Sequence, residues 1–175
     1  MTLVSTVTVG SGGAATIEFT SIPQTGTDLL VVISGRGNAS GVQQPIYMKF
    51  NSSGGTAYSE RHLYGTGSTA ASGSTSGNSE FRFVYMGGTT ATASTFSNTQ
   101  IYIPNYSGST NKSISVESTM ENNATAGWQD IDAGLWANTA AITSITLTPD
   151  AASFVQYSTA SLYTITKGSG GATVS

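Results

Sequence analysis

Ser113-Ile114-Ser115-Val116-Glu117-Ser118-Thr119-Met120 alternates without a break. Ile114, Val116, Ser118 and Met120 share one side, and Ser113, Ser115, Glu117 and Thr119 share the other. A period of two residues marks a β-strand with one packed face and one polar face. The same rhythm recurs along the chain. Leu3, Ser5, Val7 and Val9 alternate against Val4, Thr6 and Thr8, and Ile17 and Phe19 bracket Glu18. Ile46, Met48 and Phe50 alternate with Tyr47 and Lys49, and Phe81, Phe83 and Tyr85 with Arg82. Ile101 and Ile103 flank Tyr102. Ile145 and Leu147 alternate with Thr146, and Tyr163 and Ile165 with Thr164. Leu29-Leu30-Val31-Val32-Ile33 is apolar on both faces, which predicts a strand covered on both sides.

About ten strands follow, separated by Gly, Ser, Asn and Pro clusters. That spacing predicts an antiparallel sandwich or barrel. No window carries a sustained helical stripe; at most one helical turn is expected around Trp136 to Ala141. The 175 residues suit one domain, 1–175, with an N-terminal strand and a Gly/Ser-rich tail from Lys167 to Ser175. Thr66 to Ser79 is almost wholly Gly, Ser, Thr and Ala. It reads as a flexible surface loop, or as an arm ordered by a partner.

The composition removes most of the material of active sites. Only 9% of residues are charged, there is no Cys, and His62 is the single histidine, whereas about three residues in ten are Ser or Thr. Without Cys there is no disulfide framework and no thiolate metal site. Six scattered Lys and Arg residues and a net charge of −3 argue against nucleic acid, which requires clustered cations. No apolar run is long enough to span a bilayer as a helix. Met1 to Ser5 lacks the basic start and apolar core of a signal peptide, which predicts synthesis in a cytoplasm.

Few residues remain as candidates for chemistry. A nucleophilic triad needs a base beside its nucleophile, and His62, next to Glu60 and Arg61, reads as a strand or surface residue. Asp130 and Asp132 lie two apart, so both face the same way. They read first as a solvated strand face, opposite Ile131, Ala133 and Leu135. The alternatives are a cation or subunit contact, or glycosidic acid–base work. Trp128, Trp136, Tyr102 and Tyr106 read as core or interface filling, with sugar stacking as the alternative. No catalytic, cofactor-binding or metal-binding residue is assigned, and the chain is expected not to be an enzyme.

Several segments carry a family likeness. They are Phe19-Thr20-Ser21-Ile22-Pro23-Gln24-Thr25 with Thr27-Asp28-Leu29-Leu30-Val31; Met48-Lys49-Phe50-Asn51; Tyr58 with Leu63-Tyr64-Gly65; and Thr95-Phe96-Ser97-Asn98. Further on come Ile101-Tyr102-Ile103-Pro104-Asn105-Tyr106, Asn111-Lys112-Ser113, Leu135-Trp136, Ala141-Ile142-Thr143-Ser144-Ile145 and Ser161-Leu162-Tyr163-Thr164-Ile165. The series, from Phe19 to Ile165, resembles small virion proteins of tailed bacteriophages, common in phages of cyanobacteria and other aquatic bacteria. Members are capsid cement (decoration) proteins or tail-fibre-type domains. One departure is Thr164, where the pattern has Gly.

The resemblance implies a jelly-roll-like β-sandwich and a place on the capsid exterior. It also implies the major capsid protein as partner, and self-association as a homotrimer. A receptor-binding module recognising host surface polysaccharide is the alternative. Met1 to Val9, Thr66 to Ser79 and Lys167 to Ser175 are the expected inter-subunit contacts.

Overall fold

A computed structural model describes residues 1–123 and 127–167, with only the backbone of Phe83. Most of the predicted tail therefore lies outside the described residues. Among the described residues twelve strands run in chain order: β1 (Thr2–Thr8), β2 (Ile17–Phe19), β3 (Asp28–Gly35), β4 (Gln43–Phe50), β5 (Tyr58–Gly65) and β6 (Ala70–Asn78). They continue with β7 (Phe81–Gly87), β8 (Ser97–Ile103), β9 (Lys112–Met120), β10 (Trp128–Trp136), β11 (Ile145–Pro149) and β12 (Thr159–Ile165). Among the described residues there is no helix.

The strands form an eight-stranded sheet, β1-β12-β3-β8-β9-β10-β5-β6, and a four-stranded sheet, β2-β11-β4-β7. Every strand pairing is antiparallel. The order is that of a jelly roll. Of β2, β3, β4, β5, β6, β7, β8 and β11, the first, eighth, third and sixth form the smaller sheet. The second, seventh, fourth and fifth lie in the larger one, in that order. The β9–β10 hairpin is inserted between β8 and β5, and β12 and β1 extend the other edge. β7 packs across the sandwich against β5, β8, β9 and β10.

One core lies between the sheets. Leu29, Val31, Ile33, Ile101 and Ile103 from the large sheet meet Ile46, Met48, Phe50, Phe81 and Val84 from the small one, all fully buried. Alternation puts these residues inside and their neighbours outside. β3 is closed on that face, but Leu30 and Val32 are only half-buried, so the expected cover on both sides is partial. β12 runs unbroken through Thr164.

Two local expectations are corrected. The Gly/Ser-rich segment expected as a loop contains β6, which pairs with β5 from Tyr58↔Asn78 to Gly65↔Ala70. Ladder hydrogen bonds depend on the backbone, so a partner strand organises a sequence with little strand preference of its own. The His62 ring covers Gly73, where a Cβ would lie 2.6 Å from its Cε1. The second correction is the helical turn after Trp136. The chain instead stays irregular: Ala137 N donates to Ala57 O (2.8 Å) and Asn138 Oδ1 accepts from Ala140 N (2.8 Å). The Asn side chain supplies the local turn that a helix would have made with its backbone.

Candidate functional site

β10 is turned the opposite way from the sequence expectation. Asp130 and Asp132 are 0% and 2% exposed, whereas Ile131 is 56% and Leu135 37% exposed. The solvated acidic face is therefore corrected to a buried one. Trp136 and Gly134 give the reason. Trp136 is fully buried, edge-on to Phe50 (5.4 Å between centroids) and stacked near Tyr58 (6.3 Å). Gly134 makes room for Phe81, since a Cβ would meet its ring carbon at 2.3 Å. Once these two positions point inward, a period of two carries Asp132 and Asp130 in with them.

The inward carboxyls meet a third. Asp132 lies across from His62 on β5 and Val116 on β9; Asp130 lies across from Tyr64 and Ser118; Glu60 lies across from Gly134. Glu60 is 1% exposed and well served. It accepts hydrogen bonds from Thr75 Oγ1 (2.7 Å), Asn78 Nδ2 (3.0 Å) and Arg82 N (2.8 Å). Burial nonetheless raises its pKa. Asp130 Oδ2 accepts from Trp128 Nε1 (3.2 Å), and burial raises its pKa too. Asp130 Oδ1 and both oxygens of Asp132 have no hydrogen-bond partner among the described residues. Burial, reinforced by the charges of Asp130 and Glu60, pushes Asp132 up to about 9. Such a carboxyl is neutral at pH 7.

These groups are closed off from substrate. Glycosidic chemistry needs two carboxyls flanking a bond that can reach them. A cavity of about 640 Å³ opens nearby, between Gly65 to Ser68 and the Thr119–Glu121 and Gly127–Gln129 segments, but neither Asp lines it. Among the described residues no group of three His, Cys, Asp or Glu side chains is arranged to hold a metal ion.

The candidate sugar-stacking rings are also occupied. Trp136 and Tyr106 are fully buried. Trp128 stacks on Tyr64 (4.3 Å, 11° between planes) with Tyr85 at 5.2 Å. Tyr102 is exposed, and its hydroxyl donates to Asp28 Oδ2 (2.9 Å). Cations are similarly engaged. Lys112 is buried, with Nζ donating to Gly108 O and Thr110 O. Arg36 donates to the carbonyls of Ala91, Thr92 and Thr95.

The outer face of the large sheet is accessible. Across its eight strands the charged side chains are Asp28, Glu60, Arg61, Lys112, Glu117, Asp130 and Asp132, and of these only Arg61 and Glu117 are exposed. Between them project Leu63 (57% exposed), Ile131 and Leu135, among Ser and Ala side chains. The alternation of Ile131, Ala133 and Leu135 was visible in the sequence. Which side of it faced water was not, because both sides of β10 carry large apolar residues. No protein-family model matches the chain, and no curated protein or solved structure matches it.

Proposed function

We propose that the protein is a structural virion protein that cements the bacteriophage capsid by binding major capsid protein subunits on the shell exterior. The observation that carries this reading is the outer face of the large sheet. It is broad, nearly uncharged and studded with exposed Leu63, Ile131 and Leu135. A surface of that kind is suited to burial against other protein. The resemblance supplies the identity of the particle. The jelly-roll sandwich that it implies is the fold of this chain.

Two segments expected at subunit contacts are the two ends of the large sheet. Met1 to Val9 contains β1 and Thr66 to Ser79 contains β6. Neither strand holds a charged residue, and among the described residues neither has a partner on its outer side. Unpaired edges without charge are templates for strand addition from a neighbour. Many copies bound to adjacent shell subunits stabilise the assembled state by mass action, and linkage between copies multiplies modest single contacts.

The test is sedimentation of the purified chain with phage shells that lack it, followed by imaging of the intact particle. Saturable binding and density on the shell exterior are expected. Density on the tail, or no binding to shells, refutes the proposal. The receptor-binding alternative gains no support from Trp136 or Tyr106, whose rings are fully buried; Trp128 is half-buried, borders the cavity and stacks on Tyr64.

A further inference from the structure

We propose that the outer face of β9, β10 and β5 pairs with the same face of a second copy of this chain about a two-fold axis. Strand registers set the outward side chains in rows. One row runs Glu117, Ile131, Leu63, Ser72; the next runs Ser115, Ala133, Arg61, Ser74. Arg61 and Glu117 therefore stand on a diagonal whose midpoint is on β10, between Ile131 and Ala133. They are the two exposed charges of the whole sheet, they are opposite in sign, and neither forms an ion pair with another described residue.

An isologous contact places a patch on its own twin. Consider an axis in the plane of contact that crosses β10 at that midpoint, perpendicular to the diagonal. It lays Arg61 of each copy over Glu117 of the other, and it brings Ile131 of each copy toward Leu63 of the other. With strands about 4.8 Å apart and rows about 6.8 Å apart, the axis lies roughly 35° from the strands. The two sets of strands then cross at roughly 70°, near the orthogonal class of sheet packing. Five strands by four rows cover about 650 Å² per copy, so about 1,300 Å² in all, within the range of specific interfaces. Near the axis, Ser72, Ser74, Ser115 and Ala133 allow close approach and lose little side-chain entropy.

This pairing needs no shell, but it uses the face that the capsid proposal assigns to the shell, so copies bound to a shell and copies paired with each other compete for Leu63 and Ile131. It closes at two copies, whereas the resemblance implies three. Sedimentation velocity of the full chain from about 1 µM to about 500 µM separates these states. A dimer is expected. Arg61→Glu and Glu117→Arg should each raise Kd at least about tenfold, because like charges then meet across the axis. The double variant R61E/E117R should return to within about threefold of the original Kd. Ile131→Lys should give a monomer with an unchanged circular dichroism spectrum. A monomer throughout, a trimer, or a dimer for which R61E/E117R is no better than either single variant would overturn the proposal.

Discussion

Asp132→Asn should stabilise the protein, and by more as pH rises. The side chain keeps its shape and loses its proton equilibrium. In the folded chain burial and two neighbouring carboxyls push the Asp132 pKa from 3.8 to about 9. Between those values the folded state holds a proton that the unfolded state has released. Stability therefore falls as pH rises through this window; the contribution is fully present below pH 3.8 and lost as pH approaches 9. At pH 8 the interval spans about 4 units, an upper bound of about 6 kcal/mol. Relaxation and water entry around a buried group reduce that bound. If half of it survives, about 3 kcal/mol, a chain of this size gains roughly 6–12 °C in Tm. The assay is thermal unfolding of both proteins from pH 4 to pH 9. Glu60 and Asp130 are shifted in the same direction, so the parent should lose stability along this range. The difference between the two proteins isolates Asp132. A Tm difference that stays constant with pH, or a parent that gains stability from pH 5 to pH 8, would refute the reasoning.

Two further substitutions probe local packing, the first at the turn of β10 toward the core and the second at the end of β4. Gly134→Ala drives a Cβ against the Phe81 ring, 2.3 Å from its nearest carbon and 3.2 Å from Ile114 Cβ. Chemical denaturation should show a loss of about 2–3 kcal/mol, partly recovered by adding Phe81→Leu. Asn51 has φ +51° and joins β4 to the chain before β11: its Oδ1 accepts from Thr143 N and Oγ1 and from Ser144 N, and its Nδ2 donates to Ala141 O. Asn51→Ala removes these bonds and leaves Ala in the left-handed region, so a loss of about 2–4 kcal/mol is expected by the same assay.

Much of the architecture was legible because alternation was clean where a core residue stood on one side and a polar residue on the other. β9 is the plainest case: Ile114, Val116 and Met120 are inside, and Ser113, Ser115 and Glu117 are outside. β6 was not legible, since Ala-Ala-Ser-Gly-Ser-Thr-Ser-Gly-Asn carries no apolar side to read; its strand conformation comes from pairing with β5. β5 was obscured for a related reason. Glu60 and His62 stand on the inward side of that strand, while Leu63 points out. The jelly-roll order could not be read from the periods of individual strands, because pairing between distant strands depends on contacts that no local window contains.

The burial of the carboxyls and the exposure of the apolar stripe are one event seen from two sides. Trp128 and Trp136 lie on one face of β10, and Ile131 and Leu135 on the other. Hydrophobicity alone does not choose between them. The choice falls to Trp136, which fills the space between Phe50 and Tyr58, and to Gly134, where a Cβ would collide with Phe81. A slip of β10 by one residue would return Asp130 and Asp132 to water and bury Ile131 and Leu135, relieving both costs at once. It would also expose Trp136 and put side chains against Phe81. The native register thus keeps a large aromatic fit at the expense of a desolvated acid pair, and it leaves Ile131 and Leu135 exposed on the outer face. On this argument, a variant that neutralises Asp132 loses none of its outer-face chemistry, so its stability and its self-association should separate cleanly.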